Sequence, residues 1–196
     1  MFLQSSDFPF TKVLEENVDI IRSEFLALKP DWFMPWPYYE VKDWSVFGLI
    51  FHLKEYIENQ KLCPRTMEIL RSLPVKLTTA GFSRLGPYGM ISPHPGDTDC
   101  EYTFHLGLQV PDRSFLKSGD EIQMYRENKV TAFDDMEIHL AWNEHNKTRV
   151  NLQLRCLKQG MEFKLREISD RMLNVMHFKN RRYWRERASL SANARV

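Results

Sequence analysis

The sequence predicts a mainly β protein with flanking helices, its core a sandwich or barrel of the jelly-roll type. Three observations lead there. At 196 residues the chain is long enough to bury one core without disulfides. Ahead of Pro74 apolar residues recur at helical spacing, and beyond it the texture changes to short alternating runs broken by Gly and Pro. Several such runs at near-regular spacing are what a jelly roll requires.

The elements follow in order. Thr11 is placed to cap a helix whose apolar face is Val13, Leu14, Val18, Ile21, Phe25 and Leu26, ending at Pro30. Residues 31–39, with Trp32, Trp36, Pro35 and Pro37, read as an extended loop laid over the core. Pro64 suits the start of a second helix, with Met67, Leu70 and Leu73 on one face. Strands are expected over 75–85, 89–93, 102–110, 121–125, 130–133, 137–142 and 149–157. From Gly160 helical spacing returns through Phe163, Leu165, Ile168, Met172 and Val175, followed by a basic, aromatic stretch from Lys179 to Arg187. This makes residues 1–159 one domain and 160–196 a helical extension of it, with the basic stretch a solvated face rather than an RNA-binding one.

Composition excludes some partners. Twenty-seven basic against 26 acidic residues leave a net charge of +1, which offers no general attraction to nucleic acid or to an anionic membrane. The longest apolar runs, such as 45–51, fall far short of the ~20 residues a membrane helix needs. Three cysteines, Cys63, Cys100 and Cys156, and no basic-then-apolar leader pattern point to a reduced, cytoplasmic protein.

One ordered series carries chemistry: Ser83, His94, His105, His139 and Arg149. An Fe(II) that activates O2 needs a few firm protein ligands and open positions, and His94 and His139 are the candidates. They lie too far apart for a local helical zinc motif and at a separation that suits two strands of a barrel. Arg149 follows His139 by a strand, a turn over 143–147 and a return strand, which would bring a guanidinium near the metal. That fork matches the distal carboxylate of 2-oxoglutarate, with Ser83 and His105 completing its hydrogen bonds. Taken alone, His94 and His139 read better as satisfied buried side chains; His52 and His145 read as structural or merely exposed, His177 as a histidine suited to a helix end, and Asp134-Asp135 as a turn anchor.

The residues resemble the aspartyl/asparaginyl β-hydroxylases, Fe(II)- and 2-oxoglutarate-dependent oxygenases with a double-stranded β-helix core. The likeness runs through Phe8-Pro9-Phe10, Asp43-Trp44-Ser45, Cys63-Pro64-Arg65-Thr66, Phe82-Ser83, Ser92-Pro93-His94-Pro95-Gly96, His105-Leu106-Gly107-Leu108, Phe133-Asp134-Asp135 and His139-Leu140-Ala141-Trp142-Asn143, ending at Arg149-Val150. It implies His94 and His139 as iron ligands, with Ser83, His105, Arg149 and Trp44 on 2-oxoglutarate and O2 as the second co-substrate. Gly96 stands where a third, carboxylate ligand would be, a vacancy the family fills with water and related halogenases with chloride. Members acting on acidic side chains carry arginines before the His-Leu-Gly-Leu motif, where this chain has Glu101 and Thr103. If those two face the substrate the pocket has lost positive charge, which favours an amine-bearing amino acid derivative over a peptidyl Asp, with Arg84 a possible replacement cation. A cupin-like binding module without catalysis and a halogenase are the alternatives.

Overall fold

Helical spacing near the N-terminus produces two helices rather than one, α1 (Phe10–Glu16) and α2 (Val18–Ala27). Asn17 separates them, its Nδ2 donating to the Val13 carbonyl at 2.8 Å, a side-chain bond that competes with helix propagation. Thr11 does not cap the helix as expected. It lies inside α1 and donates Oγ1 to the carbonyls of Phe8 and Ser5, while Pro9 holds the cap position. The computed structural model describes residues 1–36 and 41–164. Two compact units divide the chain, Met1–Phe163 and Lys164–Val196, and the helix and basic stretch expected beyond residue 164 lie outside the described residues.

A short α3 (Ile57–Gln60) precedes α4 (Pro64–Ser72), which starts at Pro64 as its sequence predicts. The first N–H groups of α4 need acceptors. Glu24 of α2 supplies them, accepting from Arg65 N at 2.9 Å and Thr66 N at 2.7 Å.

The remaining elements are strands: β1 (Phe2–Leu3), β2 (Met34–Pro35), β3 (Val41–Phe51), β4 (Lys54–Glu55), β5 (Leu77–His94), β6 (Glu101–Gln109), β7 (Ser114–Ser118), β8 (Glu121–Met124), β9 (Val130–Phe133), β10 (His139–Asn143) and β11 (Arg149–Leu157). They form one sheet in the order β1-β9-β6-β11-β5-β10-β7-β8, with β3 on β5 and β2 and β4 on β3. This is a jelly roll. The loop expected over 31–39 contains a 3-10 turn, Pro30–Trp32, and β2, while β3 and β7 answer to no strand that alternation predicted. The runs 75–85 and 89–93 are one strand of 18 residues, β5.

The largest departure concerns the expected turn and return strand. Residues 139–143 and 149–157 do not form a hairpin. Both lie antiparallel to β5, His139 opposite His94 and Arg149 opposite Leu85, so they follow each other in one direction along its length. Asn143 fixes the intervening link, its Nδ2 donating to the carbonyls of Gly86 at 2.9 Å and Lys147 at 2.8 Å.

Both faces of the central strands, β6 and the first half of β11, are buried, which erases there the alternation of exposure that β7 and β10 keep. Phe82, Phe104 and Phe47 turn toward the helices and loop, meeting Phe25, Phe10 and Phe33 at ring separations of 5.7, 5.0 and 5.7 Å. Strand alternation sends Ser83, Thr103, His105, Arg149, Gln153 and Arg155 to the opposite face, where they line a cavity.

Close contact between β3 and β5 depends on Gly81, where a Cβ would lie 2.7 Å from the Phe47 carbonyl oxygen and 3.0 Å from Gly48 Cα. Backbone cannot yield as a side-chain tip can. Gly81→Ala is therefore expected to destabilise the protein by about 2 kcal/mol, read as a lower urea midpoint at unchanged slope.

Candidate active site

His94 ends β5 and His139 begins β10, and the two are direct cross-strand partners with ring centroids 4.2 Å apart. A register shift makes this possible: three steps on β5, from Ile91 to His94, oppose two on β10, from Ala141 to His139. Such a bulge re-aims a side chain. Without it, alternation would turn His94 away from the face that Ile91 lines. The Nδ1 atoms lie 2.7 Å from the Ser92 carbonyl and 3.0 Å from the Glu137 carbonyl. Each Nδ1 therefore carries the proton, and each Nε2 the lone pair that a metal would take.

Burial lowers the pKa of both rings. His139 falls to about 4, burial being the main cause and His94 the next, and His94 shifts in the same direction for the same first reason. Both are neutral at pH 7, the form that binds a cation. Among the described residues no group of three or more His, Cys, Asp or Glu side chains is close enough to hold a metal together, so the protein offers a two-histidine set.

Behind the pair lies an anion slot. Arg149 is 1% exposed, stacks its guanidinium over Tyr125 at 4.7 Å, and leaves Nε and Nη1 buried without hydrogen-bond partners. Burial pushes its pKa down, yet an arginine stays charged. His105 accompanies it, with Nδ1 2.8 Å from Tyr125 Oη and Nε2 buried and unpartnered. Burial, then Arg149, holds His105 neutral, well below its ordinary pKa. Burial likewise pushes Tyr125 up to about 12, so the phenol keeps its proton. Trp44 of β3 donates Nε1 to Ser83 Oγ at 2.9 Å and walls the same end. The structure thus brings Trp44, Ser83, His94, His105, His139 and Arg149 to one cavity.

Two expectations about the substrate side change. Arg84 points the other way, donating to the Pro30 carbonyl at 3.1 Å with its guanidinium over Phe33, because adjacent strand residues face opposite sides. Thr103 does line the cavity, but Glu101 is fully buried behind it, 3.9 Å from Arg155. A cation does reach that side, Arg155 of β11, directly opposite Thr103, but Asp97, Glu101 and Asp135 lie within 4 Å of it and take up its charge. Arg155 and Gln153 were legible by counting twos from Arg149. Tyr125 and Asp135 gave no such signal: Asp134 is a turn anchor, accepting from Met136 N at 3.2 Å, but Asp135 turns into the cavity.

A nearly closed jelly roll, with a two-histidine pair and a buried guanidinium slot inside it, defines a cupin-like double-stranded β-helix protein. The chain belongs to the aspartyl/asparaginyl β-hydroxylase family, whose model matches residues 15–159. It is 35% identical over 112 residues to an ornithine lipid ester-linked acyl 2-hydroxylase of Rhizobium tropici, covering 56% of this chain and 40% of that one. It is 30% identical over 155 residues to human aspartyl/asparaginyl β-hydroxylase, covering 71% of this chain and 20% of that one. The chain spans less than half the length of either relative. Similar solved structures include a viral collagen prolyl hydroxylase from Paramecium Bursaria Chlorella virus-1 in complex with 2OG, at 12% identity and a TM-score of 0.41, covering 59% of this chain and 79% of that one.

Three neutral histidines buried in the folded state set a pH dependence. Their pKa values lie below that of an unfolded histidine near 6.5, so the stability they support is complete above pH 6.5 and is lost as pH falls toward the folded value, about 4 for His139. Melting of the metal-free protein from pH 7.5 to 4 should show Tm falling through that window. A flat profile would contradict the neutral, buried assignment.

Proposed function

We propose that the protein is an Fe(II)- and 2-oxoglutarate-dependent dioxygenase that hydroxylates a C–H bond of an amino acid, an amino acid derivative or a peptidyl Asp/Asn-type residue. The observation that carries this reading is the buried Arg149. A guanidinium with two unpartnered nitrogens inside a barrel is costly unless an anion completes it. The anion must also hydrogen-bond to neutral His105, and it must reach toward His94 and His139. A dicarboxylate that binds metal at its other end satisfies all three demands.

His94 and His139 would hold Fe(II) through Nε2. When bound, Fe(II) with 2-oxoglutarate and O2 supplies the oxidation, giving succinate, CO2 and a hydroxylated product. The chain's own residues position and shield. Arg149 and His105 grip the distal carboxylate, Trp44 and Phe133 exclude water, and the backbone carbonyls of Ser92 and Glu137 lock the ligand tautomers.

Gly96 invites comparison with halogenation, where chloride fills the gap left by a missing carboxylate. Here a Cβ on Gly96 would lie 2.5 Å from Asp135 Oδ1. A carboxylate oxygen already borders that space and disfavours a second anion, which supports hydroxylation. A non-catalytic binding module would have no need of an uncompensated Arg149 beside two metal-ready imidazoles.

The relatives' names divide between Asp/Asn residues and a lipid acyl chain. In this chain Arg155 lines the cavity, and three carboxylates already surround it. That supports a substrate whose reacting portion is neutral or amine-bearing, in a reduced cytoplasmic setting consistent with three free, buried cysteines.

Purified protein with Fe(II) and 2-oxoglutarate should release succinate even without prime substrate. Arg149→Met should weaken 2-oxoglutarate binding by about a hundredfold or more, since truncating one side of a buried charge pair leaves the other uncompensated. No succinate under any condition would favour the binding-module reading. Turnover on an Asp-containing peptide against a panel of free amino acids tests the substrate side: the free panel, led by amine-bearing members, should be preferred, and efficient peptidyl Asp hydroxylation would sink that part.

A further inference from the structure

Asp135 is clamped at one oxygen and bare at the other. Thr103 Oγ1 donates to Oδ2 at 2.8 Å, and Arg155 Nη2 stands 3.4 Å from the same atom. Oδ1 has no hydrogen-bond partner among the described residues although Asp135 is 1% exposed. The bare oxygen lies beside Gly96, in the space a side chain two residues after His94 would fill. That is where the carboxylate of a two-histidine, one-carboxylate set would enter.

Arg155 is itself held from three sides. Its Nη1 donates to Asp97 Oδ2 at 3.1 Å and lies 3.9 Å from Glu101, while Nη2 meets Asp135. Burial works against the charge, and Asp135, Asp97 and Glu101 more than offset it, keeping Arg155 protonated. Its positive charge is committed within the protein.

We infer that Arg155 and Thr103 are positioning residues: together they fix Oδ2 of Asp135 so that Oδ1 is presented beside Gly96 to whatever completes the metal's third position. The inference rests on the dioxygenase reading and adds to it a support that reaches the site from β6 and β11, two strands carrying neither histidine of the pair. An oxygen presented this way can accept a hydrogen bond from a metal-bound water. Both Nη atoms of Arg155, which would otherwise wait for a substrate carboxylate, are turned to carboxylates of the protein, and Nε is buried without a partner.

A double-mutant cycle on metal affinity tests it without any turnover. Anaerobic Co(II) titrations, with 2-oxoglutarate present, would compare the wild type, Arg155→Met, Asp135→Asn and the double variant. Outer-shell partners are worth about ten- to a hundredfold in metal affinity, so each single change should weaken Co(II) binding by at least about tenfold. The double variant should bind no more weakly than Asp135→Asn alone, because Arg155 acts through Asp135. Thr103→Val, which removes one hydroxyl at nearly constant shape, runs the same cycle if Arg155→Met fails to fold by melting. Additive losses, or full affinity in Arg155→Met and Thr103→Val, overturn the clamp. A wild type that binds neither Co(II) nor 2-oxoglutarate overturns the dioxygenase reading and the clamp with it.

Discussion

Everything in the site depends on the ladder along β5. Its far end pairs with β10, its near half pairs with β11, and β3 runs along the opposite edge. This one strand therefore fixes four separate elements of the site. It sets His94 against His139, it carries Ser83, it aligns β11 so that Arg149 enters opposite Leu85, and through β3 it places Trp44 over Ser83. A slip of one residue in any of these pairings would send the functional side chains into the helix-facing layer, because strand side chains alternate with period two. Apolar packing on the outer face makes such a slip costly. Phe82, Phe104, Leu152 and Leu154 are all buried there, and a slip would replace them with Ser83, His105, Gln153 and Arg155.

Metal ligation in this architecture is thus a by-product of register and not of local sequence. His94 and His139 come from strands far apart in the chain, and one bulge decides whether they meet. Gly96 follows the same logic. Its missing side chain admits Asp135 from the segment ahead of β10, with Gly96 N donating to the Asp135 carbonyl at 2.6 Å. A bulkier residue there would displace Asp135, so the glycine and the aspartate form one structural unit.

Much of the site was legible in the sequence because motif residues keep their own strand contexts. Ser83, His105 and Arg149 face the cavity as alternation within their own strands has it, while His94 reaches it only through the bulge and Arg149 arrives without the expected hairpin; the runs 130–133 and 149–157 are strands to the residue. Long-range partnering was not legible. The 143–147 segment has a turn's composition, and only the pairing of both flanking strands with β5 shows that the chain continues onward. β3 was hidden because its apolar run, 45–51, has no alternation, both faces being covered. Arg155 was missed for another reason. The alternation that groups 101, 103 and 105 on β6 puts Arg149, Asn151, Gln153 and Arg155 on the cavity side of β11, but no motif residue marks Arg155.

Two buried arginines on that one strand separate binding from support. Arg155 has Asp97, Glu101 and Asp135 within 4 Å, and this excess of acid over base leaves its guanidinium no electrostatic reason to recruit another anion. Arg149 has a phenol ring and a neutral histidine for company, and two of its nitrogens find no acceptor. Stability alone would never select the second arrangement, since a hydrophobic residue of similar size would be cheaper in the same hole. The uncompensated charge makes sense only as half of a pair whose other half arrives from solution. Charge accounting of buried arginines therefore assigns the co-substrate end of this barrel and, by the same argument, removes Arg155 from the groups that a substrate carboxylate could use.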